Sequence, residues 1–189
     1  MANNRVNLQN RLFLFTILFF GIGMIHISFA IIGIFCFTVP FYFYFRYKDK
    51  TWCRDICPRA GFFTCVIAKI SIGLKPPKWL TGQRFRDGVV IYFGVNVFII
   101  LMSTLMVALG RAAPVEQVRF LVAFAMTFDL PQLLHLQVSD VLVHLGYRIY
   151  SMMFSSVILG VILGVLFRPR TWCGVCPVGT LTSGKGTLR

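Results

Sequence analysis

Charge is scarce in this sequence, and negative charge scarcest of all. Charged residues make up 13% of the 189 positions and only six are Asp or Glu, against roughly 25% charged in an ordinary soluble domain. The carboxylates are scattered, so no pair is placed for general acid–base work. Histidine is thinner still, at three residues, and no Ser-His-Asp pattern or phosphate-cradling glycine loop is present. Hydrolytic and kinase chemistry therefore have no support. The alternation of strand and helix that marks a thioredoxin-like domain is also missing.

What fills the space is apolar. Hydrophobic residues reach 57%, with 20 Phe, and apolar stretches of about 20 residues recur, the length that spans a bilayer core. The expected fold is an all-α integral membrane protein, with about four transmembrane helices plus interfacial amphipathic helices, forming one transmembrane domain over residues 1–189. The lipid bilayer is its first partner. A net charge of +13 points to membrane rather than nucleic acid, because the Lys and Arg cluster beside the ends of apolar segments.

Taken in order, the spans fall at residues 12–27, 29–46, 88–110 and 147–167. Arg5 and Arg11 before an apolar run imitate a signal peptide. That run extends from Leu12 to Phe45 without a charge, far beyond the roughly 7–15 residues of an h-region. It is also too long for one helix, so two antiparallel helices are expected, turning where Gly21, Gly23, His26 and Ser28 collect, with Pro40 kinking the second. Residues 60–74 read as an amphipathic helix, lying in the interface or docked on the bundle. Residues 112–146 read as short helices on the opposite side. Arg148 begins the last span at headgroup level and is expected to snorkel there. On this topology one side holds Arg111, Arg119 and Arg148 against Glu116, Asp129 and Asp140, while the other holds 16 Lys and Arg against three Asp. The positive-inside rule then puts both termini in the cytoplasm and the chain, multi-pass, in the inner (cytoplasmic) membrane.

Against this background one short pattern occurs twice. Residues 51–61 begin Thr51-Trp52-Cys53 and continue to Cys57-Pro58, and residues 171–181 begin Thr171-Trp172-Cys173 and continue to Cys176-Pro177. Each follows a span and a basic cluster, on the same membrane face. Cys53, Cys57, Cys173 and Cys176 thus supply four soft ligands, which suit iron–sulfur clusters, zinc or copper(I). Proline directly after a ligand cysteine occurs in ferredoxin cluster motifs. Arg54, Arg59, Arg168 and Arg170 would offset thiolate charge. A zinc or copper thiolate knot in a membrane scaffold and a thiol–disulfide carrier remain the other readings. Trp52 and Trp172 also read as interface anchors.

The paired Cys-Pro exits, above all the stretch from Trp172 to Leu181, resemble the membrane iron–sulfur (polyferredoxin-like) proteins of the NapH, NosR and MauN type, and more distantly the oxidase accessory protein CcoG. The resemblance covers nearly the whole chain. It implies a [4Fe-4S] cluster on Cys53, Cys57, Cys173 and Cys176, and an electron-transfer or accessory role rather than a stand-alone enzyme. The implied partners are the quinone pool or a cytoplasmic donor on one side and a ferredoxin-like or periplasmic redox protein on the other. Two departures stand out. The second pair has two intervening residues where the family has three, and no ferredoxin module follows, so the resemblance implies that a partner carries electrons onward.

The remaining candidates have plainer readings. His26, His135 and His144 would be hydrogen-bonding residues near the outer side, with a bis-histidine haem b as the minor alternative. Cys36 and Cys65 read as small buried hydrophobes. Gly160-x-x-x-Gly164 reads as a helix-packing face, or as an oligomer contact.

Overall fold

Helix prevails because apolar runs of this length satisfy their backbone most readily within themselves. The structure, a computed structural model, describes residues 2–48, 52–121, 124–126, 130–134 and 138–182, with the side chains of residues 2–10 and 54 outside that set. In chain order it holds α1 (Ala2–Ile25), a 3-10 stretch (Ile27–Ile32), α2 (Gly33–Tyr47), a π-helical turn (Trp52–Ile56), α3 (Pro58–Cys65) and a 3-10 turn (Ile67–Lys69). There follow α4 (Gln83–Ala108), strands β1 (Arg119–Phe120) and β2 (Phe124–Ala125), α5 (Asp140–Leu166), α6 (Thr171–Val175) and α7 (Pro177–Leu181). Three stretches, Ile27–Tyr47, Gln83–Ala108 and Asp140–Leu166, are long and apolar enough to cross a membrane. The fourth expected span, residues 12–27, coincides with a shorter apolar helix, Arg11–Ile25. Ile91, Phe98, Leu101 and Leu105 of α4 are exposed, as in a helix that is apolar all round.

The chain forms two compact units, and its long helices contribute to both. The first comprises Met1–Ile17, Cys36–Phe93 and Val157–Arg189; the second comprises Leu18–Phe35 and Gly94–Ser156.

In the second unit Ile27, Ala30, Val118, Tyr147 and Tyr150 form the core, flanked by Phe19, Phe20 and Phe154. The helix break falls at His26, whose backbone is extended and whose Nδ1 accepts from the Ser28 N–H. Gln132 closes the break from outside. Its Oε1 accepts from the Ile27 N–H at 2.8 Å and its Nε2 donates to the Gly23 carbonyl at 3.4 Å. Neither nearby glycine makes the turn: Gly21 and Gly23 lie within α1, where Gly23 packs against the Tyr150 ring and Gly21 faces open space. Gly146 of α5 lets the Ile27 carbonyl approach to 2.6 Å from where a Cβ would stand.

The expected short helices over 112–146 are not found among the described residues before Asp140. β1 and β2 pair antiparallel there, Arg119 opposite Ala125 and Phe120 opposite Phe124. The reason lies on α5, which takes up this segment's backbone. Val115 N–H donates to His144 Nδ1, Arg119 N–H to Ser151 Oγ and Leu121 N–H to Ser155 Oγ, at 2.9–3.0 Å. These bonds hold the extended chain up to Phe120 and the turn at Leu121, whose φ of 52° is left-handed. Because α5 starts at Asp140, Arg148 lies two turns inside the helix. It is buried rather than snorkelling at the boundary.

In the first unit Phe63, Ile67, Trp172 and Val175 form the core, covered by Leu159, Leu163 and Val165 of α5. The small-residue face of α5 is filled by the chain itself: the Phe63 ring occupies the space beside Gly160 and Ile67 that beside Gly164. Residues 60–74 are therefore docked, and the expected continuous helix stops at Cys65. Beyond it the chain extends to close the end of α5. Ile72 N–H donates to the Val165 carbonyl at 2.8 Å, Gly73 N–H to the Phe167 carbonyl at 3.1 Å and Ser71 Oγ to the same carbonyl at 2.6 Å. Helix C-terminal carbonyls that lack an intrahelical donor are satisfied in this way.

Phe63 is fully buried, so it has no room to retreat from a side chain at 160. Gly160→Val should lower stability by about 1–3 kcal/mol, the range for overpacking. Gly21→Ala, where an added Cβ meets nothing within 4 Å, should be neutral or slightly stabilising. Thermal unfolding of both variants in detergent checks the pair; equal midpoints would refute the packing assignment.

Candidate functional site

Each cysteine pair is built on a short turn closed by a tryptophan carbonyl. In the first copy the Cys57 N–H donates to the Trp52 carbonyl at 2.8 Å, five residues back, through a π-helical turn. In the second copy the Cys176 N–H donates to the Trp172 carbonyl at 2.8 Å, four residues back, through an α-turn. The additional residue of the first motif is absorbed by the wider turn. Beyond it the two copies run alike. Cys57 has φ −59°, ψ 117° and Cys176 has φ −55°, ψ 129°, and each stands at the N-cap of a helix whose first turn holds proline. That first-turn proline uses a position where an N–H would lack a helical partner anyway. The shortened spacing at 173–176 therefore leaves the second cysteine in the same backbone setting as its counterpart.

The two copies lie together in the first unit. A Cβ added at Gly179 would stand 3.9 Å from Cys53 Sγ and 3.9 Å from Cys176 Cβ. Arg170 Nη2 donates to the Cys53 carbonyl at 3.3 Å, and Thr182 hydrogen-bonds the Cys53 side chain. Arg59 is buried where both pairs meet, facing Cys57, Cys173, Cys176 and also Cys36. Arg168 and Arg170 are exposed at the surface; the Arg54 side chain and Thr51 lie outside the described residues. Trp172 is a core residue, not a surface anchor, and Trp52 is half-buried against the Phe43 ring at 5.5 Å.

Electrostatics follow from this burial. Burial pushes the Cys53 thiol up to about 11, with Cys57 and Cys176 adding to the shift and the Thr182 hydrogen bond opposing it. Burial likewise pushes Cys173 up to about 12, again reinforced by Cys57 and Cys176. For Arg59 burial works against the charge, yet the cysteines around it outweigh that and hold the guanidinium above its ordinary range. The Cys53 and Cys173 thiols are thus protonated at neutral pH and poor nucleophiles. No disulfide joins the six cysteines. Among the described residues no group of three His, Cys, Asp or Glu side chains is close enough to hold a metal ion. The four sulfurs are gathered, but not closed on one point.

Cys36 had no signal in the sequence that would mark it for this site. It lies in α2 and hydrogen-bonds Arg59, while Pro40, four residues on, removes the helical N–H that would bond the Cys36 carbonyl. Cys65 ends α3, two turns beyond Cys57, and is half-buried. The histidines belong to the second unit. His144 accepts from Val115 at Nδ1 and meets Ser103 Oγ at 3.0 Å through Nε2, so both nitrogens are engaged. His26 caps the 3-10 stretch, and His135 lies outside the described residues.

The raised thiols have a direct readout. Raising a thiol lowers its thiolate fraction at a given pH by about tenfold per unit. From an ordinary value of 9.0, Cys53 should alkylate about 100-fold and Cys173 about 1,000-fold more slowly than a free thiol at pH 8. Both rates should climb as pH rises towards 11. Site-resolved mass spectrometry of iodoacetamide-treated, metal-free protein measures this, and rates equal to those of the unfolded chain would refute it. No protein-family model matches this chain, and comparisons with curated proteins and with solved structures find no similar sequence or fold.

Proposed function

We propose that the chain is an integral membrane iron–sulfur subunit that transfers electrons or assists a redox partner, with Cys53, Cys57, Cys173 and Cys176 as ligands of one [4Fe-4S] cluster. The observation that carries this reading is the equivalence of the two Cys-Pro turns around one buried guanidinium. The donor set fits the group: four sulfurs from two chelating turns, and one buried positive charge beside them. When bound, the cluster supplies one-electron transfer.

The chain's own residues do the rest. Pro58 and Pro177 remove N–H donors beside the ligands and fix the backbone after them. Arg59 supplies a fixed positive charge that favours the added electron of the reduced state, since net charge and hydrogen bonds near the sulfurs set cluster potentials. Burial by Phe63, Trp172 and Val175 excludes water from one side of the site. Cysteine ligands must lose their protons on loading, so assembly is favoured by rising pH.

The surrounding architecture, in this reading, has four spans, the fourth being the Arg11–Ile25 helix, in the inner membrane with both termini in the cytoplasm. It is supported by the excess of Lys and Arg outside residues 111–148. Electrons then pass between the quinone pool or a cytoplasmic donor and a ferredoxin-like or periplasmic redox protein.

Anaerobic purification should give about four irons and four sulfides per chain, lost together in a Cys53→Ser/Cys173→Ser double variant. Stoichiometric zinc without sulfide would overturn the cluster assignment, and redox-dependent alkylation without metal would replace it with a thiol carrier. Arg59→Gln should keep the iron but lower the midpoint potential by about 60 mV or more, one tenfold step for one electron. A reporter fused after residue 116 should read as periplasmic, and the opposite result would reverse the orientation.

A further inference from the structure

His144, Arg148, Ser151 and Ser155 stand three or four residues apart on α5, so they form one row along a single face. Three of the four receive the backbone that runs beside them, from Val115, Arg119 and Leu121. Their own remaining valences are also filled. Ser151 Oγ donates to the Tyr147 carbonyl at 2.6 Å, Ser155 Oγ to the Ser151 carbonyl at 2.8 Å, and His144 Nε2 meets Ser103.

Arg148 breaks the pattern. Its side chain is 8% exposed, and its Nε is buried without a hydrogen-bond partner. Arg119 is tied through its backbone to Ser151, one turn along from Arg148, and its Nε is likewise buried and unpartnered. The two guanidinium groups are within electrostatic reach of each other. Among the described residues neither has an acidic partner; Glu116 and Asp140 of this unit are exposed, and Asp129 lies outside the described residues. Burying one charge is unfavourable unless it is paired, and a second like charge adds repulsion. An anion with several acceptor oxygens removes both penalties, since each planar fork takes two of them.

We propose that Arg119 and Arg148 form a binding site for a phosphate group in the second unit, independent of the cysteine site. Arg148 is the buried anchor, fixed by the α5 row. Arg119 is half-buried and provides the open side from which the anion enters. The phosphate is that of a lipid headgroup or a free ion; both present the same oxygens to the two forks.

The test uses the full chain, delipidated in a phosphate-free glycoside detergent. Its thermal unfolding is followed against inorganic phosphate, with sodium chloride at matched ionic strength as reference, and separately against phosphatidylglycerol added to the micelles. A saturable rise in midpoint with inorganic phosphate supports a free-anion site, and a rise with phosphatidylglycerol alone supports a headgroup site. Arg148→Gln should weaken the effect by about 10- to 100-fold, the size of lost charge-assisted hydrogen bonds. Arg119→Gln keeps the backbone bond to Ser151 and should fold, with a loss in the same range, so the proposal stands testable if the Arg148 variant does not. No saturable rise in either arm, or an unchanged rise in Arg119→Gln, overturns the proposal.

Discussion

A backbone group removed from water must find another partner, and the main irregular features among the described residues are organised by that requirement. Where helix gives way, a polar side chain or a neighbouring strand of chain stands ready. Gln132 serves both sides of the break after α1. His144, Ser151 and Ser155 hold the segment that leads into and through β1. Residues 71–73 close the end of α5. Most of the few polar residues in the apolar regions are thereby assigned to structure rather than chemistry, and the exceptions become conspicuous.

The most conspicuous of them are arginines and cysteines. Arg59 is buried among sulfurs in one unit, and Arg148 is buried beside Arg119 in the other. The contrast is instructive. At Arg59 the neighbouring groups become anionic by losing protons, so the chain itself carries the counter-charge in latent form. At Arg148 the neighbours among the described residues are hydroxyls, an imidazole and another guanidinium, none of which carries negative charge at neutral pH.

The sequence was informative wherever the signal was long or repeated. Three apolar spans and the twin cysteine motifs could be read directly, because hydropathy integrates over about 20 residues and the Thr-Trp-Cys entry recurs. What escaped depends on partners remote in sequence. Cys36 joins the cysteine site because α2 passes beside Arg59, which local composition does not encode. The paired strands 119–120 and 124–125 stand where short helices were expected because α5 offers hydroxyl acceptors at the right interval, and the early start of α5 drew Arg148 inward. Gly160 and Gly164 showed themselves as a packing face, but the occupant, Phe63 and Ile67 of the same chain, lay a hundred residues away.

The π-helical turn at Trp52–Ile56 changes how spacing should be counted in such motifs. A helix that widens by one residue per turn takes in an insertion while returning the chain to the same exit. Distance along the sequence and position in space are thereby uncoupled for a single step. Two copies that differ by one residue on paper share nearly the same backbone angles where their second cysteines meet the proline. A pattern search that fixes the interval between cysteines would file them as different motifs, although the fold treats them as one device used twice.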